Sequence, residues 1–149
     1  MQTLKKSEIA REEMGEVRTS VTLTNATDRD LVRRGKLSPS DVHSYTADAL
    51  VDTGAVRTVL PFHVVEQLDL RLRGKRVVEL ADGRKETVLT GAVEIEIDGR
   101  NTIEDALVLG DEVIVGQTVL ETLDLLVDCA NRRLVPNPAH PDQPVIKIK

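Results

Sequence analysis

Ala49-Leu50-Val51-Asp52-Thr53-Gly54-Ala55 decides how the rest of this chain is read. An apolar run delivers a carboxylate, then a hydroxyl, then a glycine. Tyr45 to Val51 predicts a buried strand, and Val56 to Leu60 predicts another. Asp52 then stands on a tight turn between two strands. An acid beside so much apolar surface costs free energy unless its oxygens accept hydrogen bonds. Gly54 offers a backbone N–H with no side chain in the way, and it reaches backbone angles closed to other residues. Asp, Thr and Gly are also ordinary turn formers. The heptapeptide alone therefore fits a plain surface turn as well as a reactive loop.

Composition narrows the surroundings. A chain of 149 residues suits one domain with a real core. With 40% hydrophobic and 30% charged residues it belongs among globular proteins. A net charge of −5 without a basic cluster argues against nucleic acid as a partner. Tyr45 and Phe62 are the only aromatics, so platforms for stacking bases are missing. The core must come from Val, Leu and Ile, and Val-rich alternation favours strands. Cys129 is the single cysteine, which excludes a disulfide within the chain; it is expected as a small buried apolar residue. His43, His63 and His140 lack the spacing of metal ligands, so no metal is expected. There is no apolar run of about 18 residues, hence no expected membrane span. The N-terminal stretch lacks the apolar segment of a secretory signal, and a cytoplasmic location is expected.

Outward from the loop the chain reads as many short strands. Residues 1–15 are a charged, helix-permissive extension. Alternation predicts a strand at 16–25, and Asp28 to Arg34 fits a helical turn ended by Gly35. His43 to Val51 leads into Asp52. After Val56 to Leu60, Pro61 is suited to begin a helix over 61–68 with Phe62, Val65 and Leu68 on one face. Lys75 to Leu80 and Lys85 to Ile97 flank the hairpin signal Asp82-Gly83, with Gly91 marking a bulge. Asp98-Gly99 is a second hairpin signal, returning through Asn101 to Leu109. Val113 to Gly116 is a short apolar strand, Gln117 to Leu123 a helix burying Val119, Leu120 and Leu123, and Leu125 to Asp128 a strand paired with 131–135. Pro136, Pro138, Pro141 and Pro144 keep the tail extended. Nine or ten short strands with one or two short helices describe a mostly β, barrel-like domain over 16–135.

Three features stand in a telling order. Leu50-Val51-Asp52-Thr53-Gly54-Ala55 is followed by a long hairpin carrying Ala81-Asp82-Gly83-Arg84. Then come Val113-Ile114-Val115-Gly116, a helix containing Leu120, and Leu126-Val127-Asp128 with Arg133-Leu134. This order resembles the retropepsin-like aspartic proteases, including their stand-alone prokaryotic members. The resemblance implies a small closed β barrel and an active homodimer in which each subunit gives one catalytic acid. It implies Asp52 as that acid and Thr53 in an interlocked hydroxyl contact between two loops. It sets Gly54 beside the water and the substrate backbone, with Ala55 completing the loop. Ala81, Asp82, Gly83 and Arg84 would form a flap over a peptide substrate, and Ile114, Val115 and Gly116 would pack under the catalytic loop. One carboxylate cannot both take a proton from water and give one to a carbonyl; two at short range share a single proton and do both. No metal or organic cofactor is needed.

The departures from the viral pattern are specific. Val56 and Arg57 stand where viral members often carry acids that bind the substrate backbone, and Asp82, Arg84 and Lys85 replace a glycine-rich flap tip. Asp98 and Asp111 belong to turns, and Asp128 with Arg133 fits a surface ion pair. Val145-Ile146-Lys147-Ile148-Lys149 alternates as a strand would; it is expected to join a partner's sheet edge or lie in a neighbour's cleft. Two other readings fit the same residues: a non-catalytic dimerisation or peptide-binding module, and a structural acid in an unrelated barrel.

Overall fold

The computed structural model describes residues 15–149, and the expected helix-permissive stretch over residues 1–14 lies outside them. Strand β1 (Val17–Asn25) runs antiparallel to β2 (Ser44–Val51), from Val17 opposite Val51 to Thr24 opposite Ser44. The far half of β1 also pairs with β5 (Gly83–Ile97), Leu23 lying opposite Ile95. Between them come β7 (Ile114–Val115), β3 (Val59–Leu60) and β6 (Arg100–Val108), in the order β1-β2-β7-β3-β6-β5 and back to β1. The sheet therefore closes into a six-stranded barrel, which removes free edges. Strand β4 (Leu72–Leu80) hangs from β5 outside the ring, and β8 (Leu125–Asp128) with β9 (Arg133–Pro136) forms a separate hairpin.

The buried cluster consists of Val, Leu, Ile and Ala, as the lack of aromatics requires. Leu23, Ile95, Ile97 and Leu60 are fully buried within it. Each such side chain contributes about 1.5–3 kcal/mol, and no disulfide assists. Among the described residues three short α-helices, where one or two were expected, complete the fold: α1 (Ala26–Arg33), α2 (Phe62–Gln67) and α3 (Gln117–Leu123). Buried Asn25 begins α1. Its side-chain oxygen accepts the Asp28 N–H at 3.1 Å, and its amide donates to the carbonyls of Leu68 at 2.9 Å and Asp69 at 3.1 Å. One side chain thus caps one helix and ties it to the end of another.

Several expectations shift. Only Val59–Leu60 of the predicted 56–60 strand is a strand, because the carbonyls of Ala55 and Val56 bond to α3 instead of a ladder, and Val56 is 69% exposed. Pro61 precedes α2 as its cap; Phe62 is 54% exposed, and Val64, Val65 and Leu68 form the buried face. In the β4–β5 hairpin Leu80 faces Gly83, so Ala81-Asp82 is the two-residue loop. Gly83 leaves it at φ 131°, a region favouring glycine. Asp98-Gly99 does make the second turn, with φ 50° and 79°. The bulge at Gly91 appears as a register shift between Leu89 and Ala92. Cys129 is exposed rather than buried, since it sits in the tight β8–β9 turn. Asp128 and Arg133 meet at 3.3 Å on the surface. Val145–Lys149 forms no strand within the chain.

His43 Nδ1 lies 2.8 Å from Asp28 Oδ2, which also accepts the His43 N–H at 3.0 Å. The side-chain bond to Asp28, aided by its charge, raises the His43 pKa above 6.5. The folded chain then binds the proton more tightly than the unfolded one. The bond's stabilisation is complete below pH 6.5 and lost as pH climbs through the raised value. Replacing His43 with Gln should flatten the decline of melting temperature between about pH 6 and 8. An unchanged slope would show that the pair is energetically silent.

Candidate active site

The loop at 52–58 is built from both ends. β2 lies parallel to β7, with Leu50 beside Ile114 and Val51 beside Val115. The Leu50 N–H donates to Val113 O at 2.9 Å and the Asp52 N–H to Val115 O at 3.0 Å. The chain then turns tightly, the Ala55 N–H reaching Asp52 O at 3.1 Å. The Gly54 N–H donates to Asp52 Oδ1 at 2.9 Å, which shapes the turn around the carboxylate. Asp52, Thr53 and Gly54 are exposed in the single chain.

Beneath the loop, Gly116 meets its backbone directly. A Cβ at this position would lie 2.6 Å from Arg57 O and 2.7 Å from Ala55 O. The next two residues begin α3, which has no side-chain cap. The loop supplies one instead: Gln117 N–H donates to Ala55 O at 2.8 Å and Thr118 N–H to Val56 O at 3.0 Å. Two of the orphan donors of a helix start are thereby satisfied. The structure thus brings Asp52 against Val115 and Ala55 against Gly116, while Ile114 pairs with Leu50 just before the loop.

Glu104, which the sequence reading passed over, holds the far end of the loop. Its Oε2 accepts the Thr58 N–H at 2.9 Å and its Oε1 accepts the Thr118 hydroxyl at 2.7 Å. A signal was present in the phase of β6. Ala106 is fully buried, so Glu104 shares its inward phase while Ile103 points out at 57% exposure. An acid on the inward phase, beside an outward isoleucine, marks a carboxylate with partners.

Ala81, Asp82, Gly83 and Arg84 are exposed at the tip of the β4–β5 hairpin. Among the described residues they make no hydrogen bond to the Asp52 loop; Arg84 Nε lies 4.0 Å from Glu79 across the hairpin. Lys75 and Glu86 make a second exposed pair at 3.4 Å. The hairpin is a projecting arm in the single chain.

Beyond the loop, a cleft of about 700 Å³ runs from Thr53 along α3 and β8, bordered by Leu120, Leu126 and the tail residues Ile146 and Ile148. The tail reaches it through Asp124, the left-handed residue that ends α3. Asp124 Oδ1 accepts the Asn137 amide at 3.0 Å, and Oδ2 accepts the Val145 N–H at 3.1 Å and lies 2.7 Å from His140 Nδ1. The Asn137 amide, with the Val145 N–H and His140, holds this carboxyl below the usual carboxylate range. Arg100 donates to the carbonyls of Leu123 and Asp124 at 2.8 and 3.2 Å and to those of His140 and Pro141 at 3.2 and 3.3 Å. It closes the helix end and straps the tail to it. Among the described residues, no group of three or more His, Cys, Asp or Glu could hold a metal ion. No helix among them is long and apolar enough to cross a membrane.

The family model described as "gag-polyprotein putative aspartyl protease" matches residues 39–122, more than half of the chain. Among solved structures, the simian foamy virus (mac) protease is 15% identical over 69% of this chain and 90% of its own, with a TM-score of 0.45. The EIAV protease complexed with the inhibitor HBY-793 is 24% identical over 70% of this chain and 85% of its own, with a TM-score of 0.49. None of the curated proteins matches the chain.

Proposed function

We propose a mechanism for this chain, which belongs to the gag-polyprotein aspartyl protease family and is an aspartic-type endopeptidase: it hydrolyses peptide bonds as a homodimer, with one Asp52 from each subunit forming the catalytic pair. The observation that carries this reading is a single Asp-Thr-Gly loop on a single closed barrel, its carboxylate exposed in the lone chain. Paired-carboxylate chemistry needs two such acids, and one copy of the chain offers one. A two-fold axis beside the loop brings the second, in the commonest kind of symmetric assembly.

In the pair, one carboxylate is ionised and the other protonated, because both cannot ionise at short range. The ionised member takes a proton from a water as its oxygen attacks the scissile carbonyl carbon. The protonated member gives its proton to the carbonyl oxygen. Collapse of the tetrahedral diol breaks the C–N bond: the protonated member gives its proton to the amine nitrogen, a diol hydroxyl gives its proton to the ionised member, and the amine and acid products leave the pair again singly protonated. Thr53 is assigned to the contact between the two loops, and Gly54 to the water and substrate backbone. The arm carrying Ala81, Asp82, Gly83 and Arg84 folds over an extended peptide. Ile114, Val115 and Gly116 keep the loop in place from below. The tail at Val145–Lys149 borders Thr53, which supports a role for it at the subunit contact.

Activity from a shared site depends on assembly. Specific activity against a broad peptide library is expected to fall on dilution, in step with dimer dissociation followed by sedimentation. Truncation after His140, which spares β9 and the Asn137–Asp124 bond, should shift both curves to higher protein concentration. A specific activity independent of dilution, from protein that sediments as a monomer, would overturn the shared site.

A further inference from the structure

We infer that Glu104 is a positioning residue for the reaction: its carboxylate clamps the Asp52 loop to the first turn of α3. The inference rests on the reading of that loop as catalytic, and it adds a residue that neither the Asp-Thr-Gly element nor the glycine beneath it identifies. The clamp is a closed circuit. Val56 O accepts the Thr118 N–H, the Thr118 hydroxyl donates to Glu104 Oε1, and Glu104 Oε2 accepts the Thr58 N–H. The circuit encloses residues 56–58, where the loop rejoins the barrel. Its near end is fixed separately by the Asp52 N–H on Val115 O.

The chemistry suits a fixed loop. Two hydrogen bonds on one half-buried side chain hold its rotamer as well as its partners. Glu104 extends from β6, whose Leu107 N–H also takes Thr58 O at 3.0 Å. Thr58 is therefore held through both its backbone N–H and its carbonyl by one strand. Thr58 is also the first fully buried residue after Asp52. Removing the clamp frees the loop to drift, and a drift near 1 Å at the reacting groups costs up to about a hundredfold in rate.

The clamp needs two hydrogen-bonding atoms more than it needs charge. In Glu104→Gln, the amide oxygen still accepts the Thr58 N–H and the amide nitrogen donates to Thr118 Oγ1. Glu104→Ala loses both links. Glu104→Ala is expected to lower kcat by roughly ten- to a hundredfold with KM nearly unchanged. Glu104→Gln should stay within about threefold of the parent, and Thr118→Val should fall between. All are measured well below their melting temperatures, so a loss of stability alone does not move kcat. Amide exchange reads the clamp without activity: the Thr58 N–H should exchange faster in Glu104→Ala, with Leu60 unchanged. A parent-like kcat in Glu104→Ala, or equal losses in the Gln and Ala variants, overturns the inference. If the parent cleaves nothing, or Asp52→Asn cleaves as well as the parent, the catalytic reading of the loop fails instead. Thr58 exchange then still decides the clamp, faster exchange supporting it and unchanged exchange overturning it.

Discussion

Asp52→Asn is expected to leave a folded dimer that no longer cleaves peptides. Asparagine keeps the shape of aspartate and an oxygen that accepts the Gly54 N–H, the bond that shapes the turn. The Asp52 backbone N–H stays on Val115 O. What disappears, on the proposed mechanism, is the group that takes a proton from water and gives one to the carbonyl. Acid–base catalysis of this kind accounts for about 10²–10⁴ in rate, and in a homodimer both members of the pair are lost together. Loss of kcat/KM by at least that factor, with unchanged thermal melting and sedimentation, is the expected outcome. Mixing the variant with the parent should also depress the parent's activity, because mixed dimers carry a single acid. Cleavage at the parental rate would remove Asp52 from the chemistry altogether.

Gly116→Ala should be the most damaging single methyl in the molecule. Gly116 has φ −98° and ψ −176°, an extended conformation that alanine adopts freely. The obstacle is space. The new Cβ would lie 2.6 Å from Arg57 O, 2.7 Å from Ala55 O and 2.8 Å from Arg57 C, all backbone atoms that cannot rotate aside. The loop or α3 must move, and either motion strains the bonds from Gln117 and Thr118 to the carbonyls of Ala55 and Val56. Overpacking of this kind costs about 1–3 kcal/mol or more. The displacement also reaches Asp52, so activity should fall by about a hundredfold or more. Gly91→Ala is the control, since its nearest neighbour would be an ordinary 3.8 Å away. Urea titrations and peptide assays of the two variants should separate clearly. Equal behaviour would mean that the loop yields without consequence.

Parts of this architecture were legible because local chemistry and tertiary demand agree there. Val119, Leu120 and Leu123 recur at helical spacing and are buried as that spacing predicts. Asp98-Gly99 supplies the two positive φ angles that its turn requires. The approach to Asp52 reads as a buried strand; it is a strand, but only Ala49 within it is fully buried, because its outer face meets solvent. Misreadings arise where a distant partner overrides the local pattern. Val56 belongs to an apolar run, yet its carbonyl is claimed by Thr118, far along the chain, and it leaves the ladder. Phe62 is the more hydrophobic face marker, yet Val64 takes its place beside Val65 and Leu68 on the buried face and leaves Phe62 half exposed. Cys129 is small and apolar but sits where β8 must reverse within a few residues. Arg100, Glu104 and Asp124 escape a reading by motif altogether. Their roles rest on carbonyls and amides that come together only in the fold, and a sequence displays side chains rather than backbone partners.

The two parallel pairings, Leu50 with Ile114 and Val59 with Leu107, join segments far apart in sequence. Contacts of such long range repay their loop-closure entropy late in folding. A nascent chain leaving the ribosome therefore carries Asp52 on an unsupported bend until the segment beyond Gly116 has been synthesised. On the proposed shared site, the order of synthesis would hold the loop unformed until the last strand of the ring, Ile114–Val115, has emerged.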